Sequence, residues 1–376
     1  MTTVPVPVIA EYIWIDGVNL TRSKTRVFPA GQIQAFDGVH HADYYPEWDY
    51  DGSSTGQHRN NDTEVVLKPK YVCPNPLFTA ATGNIDCVAV LVLCETYLSD
   101  ATTPHTTNNR FLTECTFRNS QNDAPWFGFE QEYFIMDYTP PSSSCSSSCS
   151  SSSSSSSSYT TPVVGQTRNY AYDNAYCCPS AIHREIAEEH MSACLCAGLR
   201  IGGINAEVAP GQWEFQIGPI GGLEGSDQLW IARYLLDRIA AKYNKVICYH
   251  PKPYANQNGS GCHVNFSTRA MRETAQAQGV NTILNTIHTL AKSHSADICL
   301  YGTHNELRMT GKHETSKYDT FSWGIGTRNT SIRIGNKTHR EGGGYFEDRR
   351  PASNCDPYIV VNVLYQAVTP GPNVQE

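Results

Sequence analysis

The chain has 376 residues, a formal net charge of −8 and a pI near 5.9, a balance that argues against nucleic acid or an anionic membrane as partner, since both favour basic surfaces. No apolar run approaches the ~20 residues of a membrane helix. The opening Met1-Thr-Thr-Val-Pro-Val-Pro7 lacks the basic and apolar regions of a signal peptide, so a cytoplasmic protein is expected.

A chain of this length can bury a large core and suggests two domains. Tyr12-Ile-Trp-Ile-Asp-Gly17 reads as a strand ending in a turn, and a basic segment, Arg22-Ser-Lys-Thr-Arg26, follows it. Trp48-Asp-Tyr-Asp-Gly-Ser-Ser-Thr-Gly-Gln57 is polar and rich in Gly and Ser, the composition of an exposed loop of the kind that often carries function. Glu64–Pro69 and Cys87–Cys94 are strand-like in β-branched content and length. Residues 1–98 thus form a small strand-rich domain. A linker rich in Thr, Pro and Asn leads to a helical pattern starting near Asn109.

The stretch Trp126-Phe-Gly-Phe-Glu-Gln-Glu-Tyr-Phe-Ile-Met136 reads as a strand. Glu130 and Glu132 then share one face, roughly 6.5–7 Å apart, with Phe129, Gln131, Tyr133 and Ile135 on the other. Two carboxylates on one face of an apolar strand call for a positive charge above them. Ser142 to Ser158 is almost pure serine, interrupted by Cys145 and Cys149. It has no apolar side chains to offset ordering entropy, so a mobile surface insertion is expected. Ser180–Gly198 predicts a helix with a Ser cap and a terminating Gly; Ser226–Ala241 and Val280–Ala291 predict two more. Strands alternate with them, so residues 99–376 read as one α+β unit. The fourteen cysteines are scattered; only Cys194/Cys196, Cys145/Cys149 and the adjacent Cys177/Cys178 lie close together, and none has CxxC zinc spacing. Most read as small buried hydrophobes in a reducing compartment.

Three further segments repeat the polar-face pattern. Gln212, Glu214 and Gln216 alternate with Trp213, Phe215 and Ile217, just after Glu207; His263, Asn265 and Ser267 alternate with Cys262, Val264 and Phe266; Glu347 and Arg349 lie two residues apart. Four such strands could line one cleft. Five carboxylates and one imidazole make an oxygen-dominated ligand set, suited to Mg²⁺ or Mn²⁺ rather than zinc. Arg308, Arg328, Arg333 and Arg349 supply guanidinium groups suited to carboxylate and phosphate. Metals with several arginines, and no GxxxxGK[ST] loop or kinase Gly-rich loop, point to phosphoryl transfer on another scaffold.

The segments Trp48–Gln57, Trp126–Tyr133, Asn205-Ala-Glu-Val with Gln212-Trp-Glu-Phe-Gln-Ile-Gly-Pro219, Asn258-Gly-Ser-Gly-Cys-His-Val-Asn-Phe-Ser-Thr268, Thr310-Gly-Lys-His-Glu-Thr315 and Tyr345-Phe-Glu-Asp-Arg-Arg-Pro351 resemble, in order, those of eukaryotic-type (class II) glutamine synthetases. The resemblance runs from about Tyr12 to Tyr358. It implies a β-grasp-like N-terminal domain and a glutamine synthetase/guanidino kinase-like catalytic domain with a curved antiparallel sheet. The implied activity is ATP-dependent ligation of ammonia to L-glutamate through γ-glutamyl phosphate. Two or three Mg²⁺ or Mn²⁺ ions per site are implied, Glu132, Glu207 and Glu214 holding one and Glu130, His263 and Glu347 another. Trp126, Asn265, Ser267, Arg272, Arg328, Arg333 and Tyr345 match positions around ATP. Asn256, Gly259, Arg308, Arg328, Arg349 and Tyr176 match positions around glutamate, and Arg328 and Arg349 also face the transferring phosphoryl group. Asp51 and Glu314 match the carboxylates that bind ammonium and take its proton. Asp51 is expected to serve a neighbouring subunit's site in a homo-oligomer of two stacked pentameric rings.

Where that family usually has Gly-Pro-Tyr-Tyr-Cys-Gly-Val-Gly, this chain has Asp173-Asn-Ala-Tyr-Cys-Cys-Pro-Ser180, and Gln257 and Leu307 replace a usual aromatic and arginine. Two other readings stand beside ammonia ligation. One is a ligase for a larger amine, disfavoured by the small anionic pocket that Asp51 and Glu314 would form. The other is a non-catalytic relative, disfavoured because such a chain has no reason to keep six metal-ligand side chains together.

Overall fold

Alternation of apolar and polar side chains builds two sheets in the computed structural model, which describes residues 6–33, 41–78, 87–138 and 174–368. The serine tract 142–158, with Cys145 and Cys149, lies outside the described residues, as does Asp173. The first sheet holds β1 (Val8–Ile15), β2 (Thr21–Phe28), β3 (Trp48–Asp51), β4 (Glu64–Pro74) and β5 (Val88–Leu98), in the order β2-β1-β5-β4-β3. Its first and last strands run parallel at the middle, as a β-grasp-like sheet requires, and the other pairs are antiparallel. The sheet curls enough for Lys24, on one edge strand, to place its ammonium 3.5 Å from the ring centroid of Trp48 on the other.

The basic segment Arg22–Arg26 forms the body of β2. One expectation changes here. Trp48–Gln57 is not an open loop: Trp48–Asp51 pairs with β4, and Gly52–Thr55 forms a 3₁₀ turn that ends with Gln57 buried. The cause is the period-2 alternation of Trp48 and Tyr50 with two aspartates, hidden by the Gly/Ser run behind it. Trp48 packs edge-on to Tyr12 at 5.3 Å, and Tyr50 lies 4.4 Å from Trp14.

The second sheet holds β6 (Trp126–Asp137), β7 (Ile201–Ala206), β8 (Gln212–Gly221), β9 (Lys245–Cys248), β10 (Cys262–Ser267), β11 (Trp323–Ile325), β12 (Ile332–Ile334) and β13 (Phe346–Asp348). The order is β11-β12-β13-β10-β6-β8-β7, with β9 on the far half of β6. Every pair is antiparallel except β11 with β12. Six helices that lie wholly among the described residues accompany the sheets: α1 (Asn109–Phe117), α2 (Arg184–Cys196), α3 (Gly222–Lys242), α4 (Gln278–Asp297), α5 (Asn336–Glu341) and α6 (Pro357–Gln366). The α3 helix is apolar on most faces because it is packed from both sides. Leu229 to Leu236 share one core with Ile13, Tyr71, Leu91 and Leu93 of the first sheet and Phe129, Tyr133 and Phe215 of the second.

The α2 helix begins later than the Ser180 cap predicts. It starts at Arg184 behind a left-handed His183 that makes no side-chain cap. The chain before it is held by other bonds: Trp213 Nε1 donates to the Ile182 carbonyl, and Arg184 reaches back to the carbonyls of Cys178 and Pro179. Its C-terminal end agrees with expectation, since Gly198 adopts φ +75°. Beneath β6 the apolar face contains one polar residue, Gln131. Its amide oxygen takes two bonds from Arg233, and its nitrogen donates to Ser353, all fully buried. A buried amide must be satisfied, and this network pins the strand that carries Glu130 and Glu132.

Candidate active site

Strand register converts four polar faces into one. Glu130 lies opposite His263 on β10 and Gln216 on β8, Glu132 lies opposite Glu214, and Glu347 lies opposite Asn265 and Arg333. Their partners in alternation, Phe129, Phe215, Val264 and Phe266, are all buried on the core side. The His263 Nδ1 stands 3.6 Å from carboxylate oxygens of both Glu130 and Glu347, and 3.9 Å from Glu132. Donor atoms of Glu130, His263 and Glu347 all lie within 4.8 Å of one another. Glu207, on the turn between β7 and β8, joins Glu132 and Glu214 along the same cleft, whose volume is about 380 Å³.

The site is electrostatically strained without a cation. Burial first, then Glu130, Glu132 and Glu207, push the Glu214 carboxyl up to about 9. Burial and Glu207 push Glu132 up to about 8, against the pull of the Gly261 N–H and two arginines. Burial, followed by the smaller repulsion of Glu314, pushes Glu207 up to about 7. Burial and the nearby Arg349 hold the His263 imidazole well below its usual range, so it is neutral and keeps a lone pair. Carboxylates that burial and one another drive towards protonation, beside a neutral imidazole, suit divalent cations with a preference for oxygen ligands. The residues present therefore fit such ions.

Arginines close the other walls. Arg349 Nη1 reaches Glu347 at 2.5 Å, and its other nitrogens bond the carbonyls of Arg328 and Glu314. Arg333 meets Glu347 at 3.2 Å, and Arg328 meets Glu314 at the same distance. Arg308 is fully buried, with Nη2 on three carbonyls of residues 349–351 and Nε on Asn305. Its stem lies so close to Gly259 that a Cβ there would meet Arg308 Cγ at 2.5 Å, which is why the turn needs glycine. His313 and Glu314 both adopt left-handed backbone, φ 52° and 64°, a strain concentrated where the cleft opens.

Most residues named from sequence meet here, but not all. Tyr176, Gly259, Glu314 and the four arginines line the cleft with the five glutamates and His263. Trp126, Asn265, Ser267, Arg272 and Tyr345 instead line an adjoining, more apolar cavity of about 400 Å³, which shares Glu130 and Gln216 with the cleft. There Arg272 lies 4.0 Å over the Trp126 ring. Asn256 is exposed and does not line the cleft; Asn258 takes that place beside Gly259. Asp51 lies outside its own chain's cleft, at the exposed end of β3, where its carboxylate accepts the Ser53 N–H and hydroxyl.

Sequence reasoning assigned no role to a set of amides. Asn205 Nδ2 donates to Glu207 at 2.9 Å, Gln216 Nε2 to Asn205 at 2.8 Å and also to Glu214, and Gln212 Nε2 to Glu132 at 3.2 Å and to the Gly259 carbonyl at 2.8 Å. Each of the three destabilised carboxylates thus has one oxygen oriented by an amide. Their shared face with the glutamates was the available signal. Gln216→Leu is expected to weaken divalent-cation binding by about 10–100-fold, the usual effect of losing a ligand-orienting bond, with an unchanged circular dichroism spectrum. Titration calorimetry giving an unaltered Kd would exclude that orienting role.

A family profile described as the glutamine synthetase catalytic domain matches residues 110–375. A putative glutamine synthetase of Acanthamoeba polyphaga mimivirus is 43% identical over 364 residues, 96% of this chain and 94% of the relative. The glutamine synthetase of Saccharomyces cerevisiae is 40% identical over 368 residues, 96% of this chain and 89% of its own. The glutamine synthetase cytosolic isozyme 1-3 of Arabidopsis thaliana is 39% identical over 373 residues, covering 97% and 95%.

Proposed function

The chain belongs to the glutamine synthetase family, the glutamate–ammonia ligases, and on that premise we propose how its cleft joins ammonia to L-glutamate at the expense of ATP. The observation that carries the reading is the convergence of five carboxylates, one neutral imidazole and four arginines in a cleft that shares a wall with a nucleotide-sized cavity. ATP occupies the cavity beside Trp126, with Asn265, Ser267, Arg272 and Tyr345 around it, and its terminal phosphate enters the cleft past Glu130 and Gln216. Glu130, His263 and Glu347 would hold one Mg²⁺ or Mn²⁺, and Glu132, Glu207 and Glu214 another; bound there, such ions neutralise phosphate charge. Arg308, Arg328 and Arg349, with Tyr176 and the Gly259 turn, grip glutamate. A γ-carboxylate oxygen then attacks the γ-phosphorus, and the bond to ADP breaks.

Arginine charge placed before the reaction stabilises the moving phosphoryl group without reorganisation. Ammonium cannot attack until it loses a proton, and Asp51 and Glu314 attract the cation and accept that proton. The amine displaces phosphate and leaves glutamine. The strained loop bearing Glu314 excludes water, which would otherwise hydrolyse the acyl phosphate. ADP release measured with and without ammonium tests the sequence of steps: release that requires glutamate and accelerates with ammonium supports it, and release indifferent to glutamate contradicts it.

We assign residues 1–98 and 99–376 as the two functional units. Because Asp51 lies outside its own cleft, it is assigned to a neighbour's site in an oligomer of two stacked pentameric rings, located in the cytoplasm as in the cytosolic relative. No described helix is long and apolar enough to cross a membrane. Asp51→Ala is expected to raise the ammonium KM by about tenfold or more while leaving ATP binding intact. Co-assembly of Asp51→Ala with Glu207→Gln protomers restores part of the activity, because some sites then combine an intact Asp51 with an intact Glu207. An unchanged ammonium KM, or no recovery on co-assembly, contradicts this assignment.

A further inference from the structure

The described cysteines are free thiols, and many are sealed in the core. Cys177 and Cys178 differ. They sit on the exposed turn between Ala175 and Ser180, with Cys177 exposed and left-handed (φ 53°) and Cys178 half-buried. The Cys178 Sγ lies 3.3 Å from the Ser180 hydroxyl. That hydroxyl and the Ser180 N–H lower the thiol's pKa, with a smaller pull from Arg184, whose guanidinium is anchored on the Cys178 carbonyl at 2.9 Å. A solvent-reachable thiol with thiolate character and a second thiol beside it is the arrangement that oxidants select. The turn is tied to the catalytic cleft on both sides. Tyr176 lines the cleft with Arg328, and the Cys177 N–H donates at 3.0 Å to the carbonyl of Ala206, the residue before Glu207.

We propose that Cys177 and Cys178 form a reversible thiol–disulfide site, oxidised by a peroxide, that lowers ligase activity by displacing Tyr176. The Cys178 thiolate attacks the peroxide O–O bond, which breaks to give the Cys178 sulfenic acid and an alcohol or water. The Cys177 thiol then attacks the sulfenic sulfur; the S–S bond forms and water leaves with the proton. The two sulfurs lose two electrons, and the peroxide gains them. Adjacent Cα atoms are about 3.8 Å apart, short of the ~4.4 Å at which unstrained disulfides begin. The bond is therefore strained and readily reduced, as a regulatory disulfide must be. Its closure resets the torsions of the turn and breaks the Cys177–Ala206 bond that fixes Tyr176.

The loss of activity rests on the cleft assignment above, whereas the covalent change does not. The purified full-length oligomer is treated with hydrogen peroxide and digested without reductant. The expected result is loss of two hydrogens within the peptide containing Cys177 and Cys178, with turnover falling by up to about 10²-fold, the scale of a misplaced substrate-positioning group. Dithiothreitol reverses both. Cys178→Ser keeps basal turnover and resists peroxide, and Cys177→Ser yields a dimedone adduct at Cys178. Oxidation mapped only to other cysteines, a disulfide that leaves turnover unchanged, or equal peroxide sensitivity of Cys178→Ser would each overturn the proposal.

Discussion

Replacing His263 by alanine is expected to lower the rate of glutamine formation by at least about 10³-fold, the scale set by losing a ligand to a catalytic cation. The imidazole Nδ1 stands 3.6 Å from oxygens of both Glu130 and Glu347, and burial keeps the ring neutral. A neutral ring offers a lone pair where a protonated one would not. Alanine removes that donor and leaves two carboxylates facing each other across a void. The fold should stand, because Cys262, Val264 and Phe266 on the other face of β10 keep their packing. Turnover, melting temperature and elution volume of the same preparation separate the two effects. Turnover within about tenfold of the parent would contradict the role given to His263.

The Glu214→Gln protein should be more stable than the parent at pH 8 in a chelator, and inert as a ligase. Glutamates in the unfolded chain ionise near pH 4.5, whereas folded Glu207, Glu132 and Glu214 hold their protons to about 7, 8 and 9. Across that window the folded state binds more protons than the unfolded one, so stability falls as pH rises from about 4.5 to about 9. A glutamine at 214 is neutral without taking up a proton on folding and can still accept the bond from Gln216. The gain is on the order of 2 kcal/mol, a few degrees in melting temperature. Divalent cations reverse the trend in the parent, because they bind the ionised carboxylates and displace the protons; affinity for them therefore rises with pH through the same window. The parent in chelator should melt progressively lower between pH 6 and 9 and recover with Mg²⁺, and Glu214→Gln should flatten both responses. A variant that melts at or below the parent at pH 8 without metal would refute the claim that these charges oppose one another.

Much of the site was legible because strand alternation needs no tertiary information. Glu130 and Glu132, Glu214 and Gln216, and His263 and Asn265 each announce a polar face opposite an apolar one. Where local composition and long-range pairing disagreed, pairing won. Trp48 and Tyr50 join a sheet through β4, and the Ser180 cap gives way to a helix start at Arg184, set by Trp213 and by Arg184 itself. Gln131 reads as a polar flaw in an apolar face until Arg233, about a hundred residues on, supplies its partner. The placing of Trp126, Asn265, Ser267, Arg272 and Tyr345 around a separate cavity, and of Asn258 rather than Asn256 at the cleft wall, depends on backbone path.

By itself, then, the order of residues determined which polar side chains share a face and which face of each strand presents them, because a period of two is built into an extended backbone. Only the tertiary structure decided which glutamate faces which. Register across β6, β8, β10 and β13 sets those distances, and distance and burial together set the charge each carboxyl can hold.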